Sequence, residues 1–238
     1  AFGKLRGELR RLGLRDNTLL WYCSDNGGLP KIGATGGRGN KGAIYEGGLR
    51  VPALLEWPNR FPKPRLVPVP CSTVDIFPTL VAAAGLKSRQ QVPLDGINIL
   101  PLLDDPSPSR PRPLGFWQHP TRGIPAKSED WMSELLALQS QGKQMEDPAM
   151  LKLNAALIPD KYPEDSFAGH AAWLDWPWKL HRIESAAGTT QYELYNVQAD
   201  PMERDTQHEQ SPERAKIMTR QLEAWLASVT QSLNRKDY

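Results

Sequence analysis

The sequence predicts an α/β protein, with a parallel-sheet segment followed by a small antiparallel sheet that is packed by a C-terminal helix. Residues 18–23 form an apolar run without alternation, which indicates a strand covered on both faces, as in a parallel sheet. Later strand-forming runs at 171–183 and 191–196 are separated by a short polar turn, which favours antiparallel pairing. The closing segment begins with Ser211-Pro212 and carries one apolar stripe, which predicts a helix that covers this sheet.

The remaining elements follow from periodicity. Residues 1–12 predict an amphipathic helix whose Lys and Arg side chains form a solvated face, and residues 51–57 predict a second short buried strand. Residues 73–84 predict a helix that ends before Gly85. We expect its inward positions to be Val74, Phe77, Leu80, Val81 and Ala84. A strand at 114–118 and a helical insertion over 129–141 and 147–157 complete the prediction.

A proline-rich stretch divides the chain into two parts. Residues 104–113 read Asp-Asp-Pro-Ser-Pro-Ser-Arg-Pro-Arg-Pro, a composition typical of an extended connection. We therefore expect an α/β part over residues 1–104, a linker over 105–113 and a C-terminal α+β subdomain over 114–238.

Composition excludes several classes of function. The 29 Lys and Arg residues nearly balance 27 Asp and Glu, so the formal charge of +2 does not favour a nucleic-acid partner. No apolar run reaches the roughly 18 to 20 residues of a membrane span, and residues 1–15 are too charged for a signal peptide. Cys23 and Cys71 lack the neighbours that a zinc site would need.

Two polar segments carry the candidate chemistry. Asp25 and Asn26 follow the first strand and offer the hard oxygen ligands that calcium or magnesium prefers, although Asp-Asn-Gly-Gly alone is typical of a tight turn. A glycine-rich stretch then leads to Lys41, and its glycines would let one cation approach a ligand closely.

Together these segments resemble the carboxyl half of type I sulfatases. The resemblance is carried by Ser-Asp-Asn-Gly at 24–27, by Asn-Lys-Gly-Ala-Ile-Tyr-Glu-Gly-Gly-Leu-Arg-Val-Pro at 40–52 and by Trp57-Pro58. It continues through residues 72–85, Asp95-Gly96-Ile97-Asn98, Trp178-Lys179-Leu180, Glu193-Leu194-Tyr195-Asn196 and Asp200-Pro201-x-Glu203. The poorest match lies between about residues 119 and 165.

The resemblance implies an alkaline-phosphatase-like fold and a calcium ion, or magnesium in its place, that bridges the enzyme and a sulfate ester. Asp25 and Asn26 match the metal ligands of the family, and Lys41 matches the lysine that contacts a sulfate oxygen. We expect Tyr45, Glu46 and the neighbouring residues to be framework around this loop. The expected partner is a sulfated small molecule or carbohydrate, with no nucleic acid and no membrane span.

The chain departs from the family at the nucleophile. Sulfatases of this type use a formylglycine made from the motif Cys-x-Pro-Ser-Arg, and neither cysteine here lies in that motif. The stretch Pro106-Ser107-Pro108-Ser109-Arg110 has proline in the nucleophile's position and is interpreted as linker. We therefore expect a carboxyl-terminal fragment, inactive alone, whose missing amino-terminal half carries the formylglycine and the remaining metal ligands.

Other interpretations stay open at this point. The whole protein would hydrolyse an aryl or carbohydrate sulfate, or act as a phosphodiesterase or phosphonate hydrolase of the same superfamily. The fragment would alternatively be a degenerate or non-catalytic module that binds sulfated glycans. His170 is a weak candidate for substrate binding, because a loop entering the second sheet could overhang the pocket. The family implies export to the periplasm, the lysosome or the outside of the cell.

Overall fold

The computed structural model describes residues 1–30, 36–87, 93–105, 107–118, 128–143, 161–185 and 187–236, with only the backbone of 128–131. The described residues of the amino-terminal part form four α-helices and two strands. The helices are α1 (Phe2–Arg11), α2 (Glu46–Leu49), α3 (Ile76–Ala83) and α4 (Leu100–Asp104), and the strands are β1 (Leu20–Cys23) and β2 (Ala53–Glu56). The predicted amphipathic helix and both predicted strands are confirmed within a few residues.

The pairing of the first two strands differs from the prediction. β1 and β2 form a two-stranded antiparallel sheet in which Leu20 pairs with Glu56 and Cys23 with Ala53. Tyr22 and Leu54 are 46% and 66% exposed, so the sheet is not covered on both faces by the described residues. An unalternating apolar run reports a preference for burial and does not encode the direction of the neighbouring strand.

The burial of α3 also corrects the prediction. Among the inward positions expected for residues 73–84, Val74, Phe77 and Leu80 are 44%, 54% and 45% exposed. Asp75 and Thr79 of the same segment are fully buried. These two polar side chains hold the segment by hydrogen bonds: the Ile97 amide donates to Asp75 at 2.8 Å and the Ile99 amide donates to the Thr79 hydroxyl at 3.1 Å. Apolar spacing identified the helix but not the face that packs.

The carboxyl-terminal part is an antiparallel sheet with one long helix on it, as predicted. The strands lie in the order β3 (Leu114–Gln118), β4 (Gly169–Asp175), β5 (Trp178–Glu184) and β6 (Thr190–Asn196). Helix α5 (Ser128–Ser140) confirms the first half of the helical insertion, and the predicted helix at 147–157 lies outside the described residues. Helix α6 spans Pro212–Leu233.

The two faces of this sheet differ in chemistry because successive residues of a strand point to opposite sides. On one face, Leu180 and Leu194 pack with Met218, Leu222 and Leu226 of α6 in a fully buried apolar core. The opposite face alternates with the first along β5, and it carries the fully buried Lys179 and His181. A charged face of this kind requires polar partners.

The expected linker is tied to the amino-terminal part. Arg110, whose side chain is 3% exposed, donates two hydrogen bonds of 2.8 and 2.9 Å to the buried Asp75 carboxylate. Arg112 donates to the carbonyl of Leu94 at 2.7 Å. The Pro-Ser-Arg stretch therefore anchors the connection in the structure. The division into domains at this stretch stays a prediction.

Candidate active site

The loop after β1 packs tightly against the beginning of α2. The Gly27 amide donates to the carbonyl of Gly48 at 3.0 Å, and the Ser24 amide donates to that of Pro52 at 3.3 Å. A Cβ on Gly27 would overlap the carbonyl oxygen of Gly47 and lie 2.7 Å from the carbonyl carbon of Gly48. The approach therefore requires glycine.

Asp25 and Asn26 stand at the open side of this loop. Asp25 is exposed, and the Asn26 amide nitrogen donates to the carbonyl of Gly27 at 2.9 Å. Their oxygens are of the type that calcium takes, but two ligands are few for an ion that takes about six to eight. Within the described ranges, no group of three or more His, Cys, Asp or Glu side chains could hold a metal ion. The donor type fits calcium, and the number leaves positions for other ligands.

Lys41 lies on a glycine-rich loop that adjoins the loop of Asp25. The Lys41 amide donates to the carbonyl of Gly28 at 2.8 Å, and its side chain is exposed. The Gly47 amide closes the Lys41 loop by donating to the carbonyl of Arg38 at 2.7 Å. Gly42 has a φ of 90°, a conformation that other residues rarely adopt. The two segments with the predicted site residues are hydrogen-bonded neighbours.

A buried polar cluster lies between the Lys41 loop and the charged face of the sheet. The loop contributes three members and the carboxyl-terminal part contributes six. The nine residues are Arg38, Tyr45, Glu46, His170, Lys179, His181, Glu193, Tyr195 and Glu203. The contacts of the three loop members with the carboxyl-terminal part join sequence positions more than a hundred residues apart.

Lys179 and Glu203 form the centre of the cluster. The Lys179 ammonium lies 2.9 Å from a carboxylate oxygen of Glu46 and 3.2 Å from one of Glu203. The other oxygen of Glu203 accepts a hydrogen bond of 2.7 Å from the Glu46 amide. Side chains of Lys179 and Glu203 are fully buried, so these interactions are little screened by water.

Glu193 gathers the second group of contacts. Its carboxylate accepts hydrogen bonds from the hydroxyls of Tyr45 at 2.9 Å and Tyr195 at 3.0 Å. The Arg38 guanidinium lies 3.8 Å over the Tyr45 ring and 3.5 Å from Glu193. Burial and the bond to Glu193 raise the pKa of Tyr45 and raise the pKa of Tyr195 to about 12. Both hydroxyls therefore remain donors at neutral pH.

His170 is turned into the cluster. Its Nε2 lies 2.8 Å from Nδ1 of His181, whose Nε2 lies 2.7 Å from Glu203. Since a carboxylate only accepts, Nε2 of His181 carries its proton and Nδ1 accepts from His170. Burial lowers the pKa of His170 to about 4 and the pKa of His181 well below its usual value, so both rings are neutral. A substrate contact for His170 stays a prediction.

Sequence reasoning missed most of this cluster. Lys179, His181, Glu193 and Glu203 occur within or beside segments that resemble the family, yet no role was assigned to them. A signal was available: Lys179 and His181 alternate with Trp178 and Leu180 in a strand, and alternation with apolar residues predicts one polar face. That face is buried instead of solvated, which only tertiary structure reveals.

Comparisons with known proteins relate parts of this chain to sulfatases. The profile of the Sulfatase family matches residues 1–86, which contain both loops. Steryl-sulfatase of Mus musculus is 36% identical over 111 residues, which is 42% of this chain and 18% of that protein. Over residues 1–86 the chain is therefore similar to the sulfatase family. N-acetylgalactosamine-6-sulfatase of Sus scrofa is 34% identical to this chain over 109 residues, which is 43% of the chain and 21% of that protein.

The likeness in fold extends over nearly the whole chain. The crystal structure of Ps i-CgsB superposes with a TM-score of 0.66 at 24% identity, covering 99% of this chain and 44% of that one. The predicted fold class, which is the carboxyl-terminal part of a sulfatase fold, is thereby confirmed. The regions that match steryl-sulfatase and N-acetylgalactosamine-6-sulfatase span only 18% and 21% of those proteins. No helix in the described part of the chain is long and apolar enough to cross a membrane.

Proposed function

We propose that this chain supplies one side of the active site of a sulfuric ester hydrolase. The observation that carries the proposal is the hydrogen bond from the Lys41 amide to the Gly28 carbonyl, because it joins the loop of Lys41 to the loop of Asp25 and Asn26. An ammonium group and two oxygen ligands at adjoining loops suit a small anion bound together with a cation.

In this proposal Lys41 binds a nonbridging oxygen of the sulfate group. Its exposed ammonium is a compact charge with three donors, and it offsets the negative charge that grows on the sulfuryl oxygens as the ester bond breaks. The side chains of Asp25 and Asn26 would hold calcium, which when bound polarises the sulfuryl group. We assign the formylglycine nucleophile to a part of the protein outside these 238 residues, since they contain no Cys-x-Pro-Ser-Arg.

The test is a matched pair of lysine variants in the enzyme that unites this chain with an amino-terminal half carrying Cys-x-Pro-Ser-Arg. The protein is co-expressed with a formylglycine-generating enzyme and assayed on a chromogenic aryl sulfate. We expect Lys41→Ala to lower kcat by about a hundredfold to a thousandfold, the usual effect of removing one group that stabilises transition-state charge. Lys63→Ala, at another exposed lysine, should leave kcat unchanged. Full turnover by Lys41→Ala would refute the role of Lys41.

The substrate class is proposed only as an aryl or carbohydrate sulfate. Stretches of 111 and 109 residues of this chain are 36% identical to a steryl-sulfatase and 34% identical to an N-acetylgalactosamine-6-sulfatase, respectively. Competition between aryl sulfates, sulfated sugars and phosphodiesters on the united enzyme would separate a sulfatase from a phosphodiesterase or phosphonate hydrolase. Turnover of phosphodiesters without turnover of aryl sulfates or sulfated sugars would contradict the proposal.

A second candidate applies to the chain by itself. Because it lacks the nucleophile motif, it would bind a sulfated ligand without cleaving it. Titration of the isolated chain with sulfated oligosaccharide and calcium tests this, with Lys41→Ala as the variant that should abolish binding. For the whole protein, we propose export to the periplasm, the lysosome or the outside of the cell, and cell fractionation would test this location.

A further inference from the structure

The Lys41 loop is held from two sides. On one side, backbone hydrogen bonds join Lys41 to Gly28 and Gly27 to Gly48. On the other side, the residues that flank Lys41 in sequence bind the carboxyl-terminal part: Arg38 lies 3.2 Å from the carbonyl of Glu203, and the Glu46 amide lies 2.7 Å from its carboxylate. The position of Lys41 therefore depends on where Glu203 stands.

Glu203 uses nearly all of its polar atoms in this arrangement. One carboxylate oxygen accepts from Lys179 and His181, the other accepts from the Glu46 amide, and its carbonyl accepts from Arg38. Its backbone is left-handed, with a φ of 50°, a conformation that residues other than glycine rarely adopt. A conformation of this kind persists where surrounding contacts determine it, and such sites often have functional roles.

Lys179 links Glu203 to β5, a strand in the interior of the second sheet. It lies in β5, which pairs with β4 and β6 along its whole length, and its ammonium joins Glu203 to Glu46. A buried polar network in which each member is satisfied favours a single arrangement, because every alternative leaves a buried charge without a partner.

We propose that Glu203 and Lys179 are positioning residues that hold the Lys41 ammonium in place for the bound sulfate. The inference rests on the proposed function for the identity of the ligand, but the restraint on the loop is measurable without it. Neither residue touches substrate in this proposal. Both act through Glu46 and the backbone of the Lys41 loop.

The first test measures amide hydrogen exchange in wild type, Glu203→Gln and a matched control. Glu223→Gln is the control, because the Glu223 carboxylate also accepts a side-chain hydrogen bond, from the Tyr192 hydroxyl at 3.0 Å, but lies on α6 away from the loop. In Glu203→Gln we expect the amides of Lys41 and Gly47 to exchange about tenfold to a hundredfold faster, the effect of weakening a charge-assisted hydrogen bond. The amide of Leu180 should accelerate much less than those of Lys41 and Gly47, although the melting temperature should fall because Lys179 and His181 lose a charged partner.

Two outcomes would overturn the proposal. One is loop exchange in Glu203→Gln within about twofold of the Glu223→Gln control. The other is equal acceleration of the loop and of β5, which would mean general loss of stability instead of release of the loop. If Glu203→Gln does not fold, Tyr45→Phe replaces it, because it removes only the 2.9 Å hydroxyl bond to Glu193 between the same loop and sheet.

Turnover of an aryl sulfate by the united enzyme is the second readout. Glu203→Gln should lower kcat/KM at least about tenfold at a temperature at which the variant remains folded, since a misplacement of about 1 Å is costly to catalysis. Unchanged kcat/KM would overturn the positioning role. If the wild-type united enzyme hydrolyses no sulfate ester, the proposed function fails, and the exchange measurement still decides whether Glu203 restrains the loop.

Discussion

Arg110→Ala should be among the most destabilising substitutions at any charged residue of this chain. The guanidinium makes two hydrogen bonds to Asp75, whose side chain is fully buried, and two backbone amides, those of Ser72 and Ile97, complete the shell at 2.8 Å each. Removal of Arg110 leaves the carboxylate buried with two of its four donors.

The expected cost can be estimated from these contacts. Two charge-assisted hydrogen bonds at about 1.5–3 kcal/mol each amount to about 3–6 kcal/mol. The loss is smaller by about 2 kcal/mol, because the variant no longer loses the conformational entropy of an arginine side chain on folding. A net loss of about 1–4 kcal/mol results, and the upper part of this range overlaps the roughly 3–5 kcal/mol typical of breaking one side of a buried ion pair. The double substitution Asp75→Asn/Arg110→Ala should recover part of this loss.

Urea unfolding followed by tryptophan fluorescence at low protein concentration measures the difference. Arg60→Ala is the matched control, because Arg60 and Asp104 form an equally short pair of 2.8 Å whose side chains are 35% and 53% exposed. We expect this control to lose no more than about 1 kcal/mol. A loss below about 1 kcal/mol for Arg110→Ala would show that the pair contributes little and that the linker is held by other contacts.

Three further predictions concern pH, glycine and the exposed sheet. Burial lowers the pKa of His170 to about 4 and that of His181 well below its usual 6.5, so the unfolded chain binds more protons below pH 6.5. Stability should therefore be full above pH 6.5 and fall towards pH 4, by up to about 1.4 kcal/mol per pH unit for each histidine, and a melting temperature independent of pH over this range would contradict it. Gly27→Ala should cost about 1–3 kcal/mol in urea unfolding because its Cβ overlaps backbone, whereas Gly7→Ala in open space on α1 should gain up to about 1 kcal/mol; equal effects would count against the packing. Leu54→Lys, at a position 66% exposed, should reduce light scattering of concentrated protein with little change in stability, and unchanged scattering would argue against association through β2.

The sequence predicted the elements better than their environment. Periodicity located α1, the strands of the second sheet and α6, because local spacing follows from backbone geometry. The direction in which β1 pairs and the packed face of α3 were wrong, since both depend on which neighbour lies alongside. Phe77 is apolar in sequence yet 54% exposed here, and no local pattern encodes that difference.

For the candidate site too, the sequence indicated the residues in local motifs but not those brought together by tertiary contacts. Asp25, Asn26 and Lys41 could be proposed because each lies in a short motif, and their loops are adjacent, but their roles stay predictions. The polar cluster behind them was not found, because Glu46 meets Lys179 across 133 positions and Glu203 across 157. Pairings of that range depend on strand register and on the path of the chain between the two parts.

The difference between the two faces of β5 also specifies the register of this strand in the second sheet. Sliding this strand by one position against its neighbours would turn Lys179 and His181 towards Leu222 and Leu226, and would bring Leu180 against the carboxylates that now bind them. Such a slipped arrangement would lose the apolar core and would also bury an ammonium group among apolar side chains without a partner. Lys179 and His181 therefore also disfavour the wrong register of β5, the strand on which they lie.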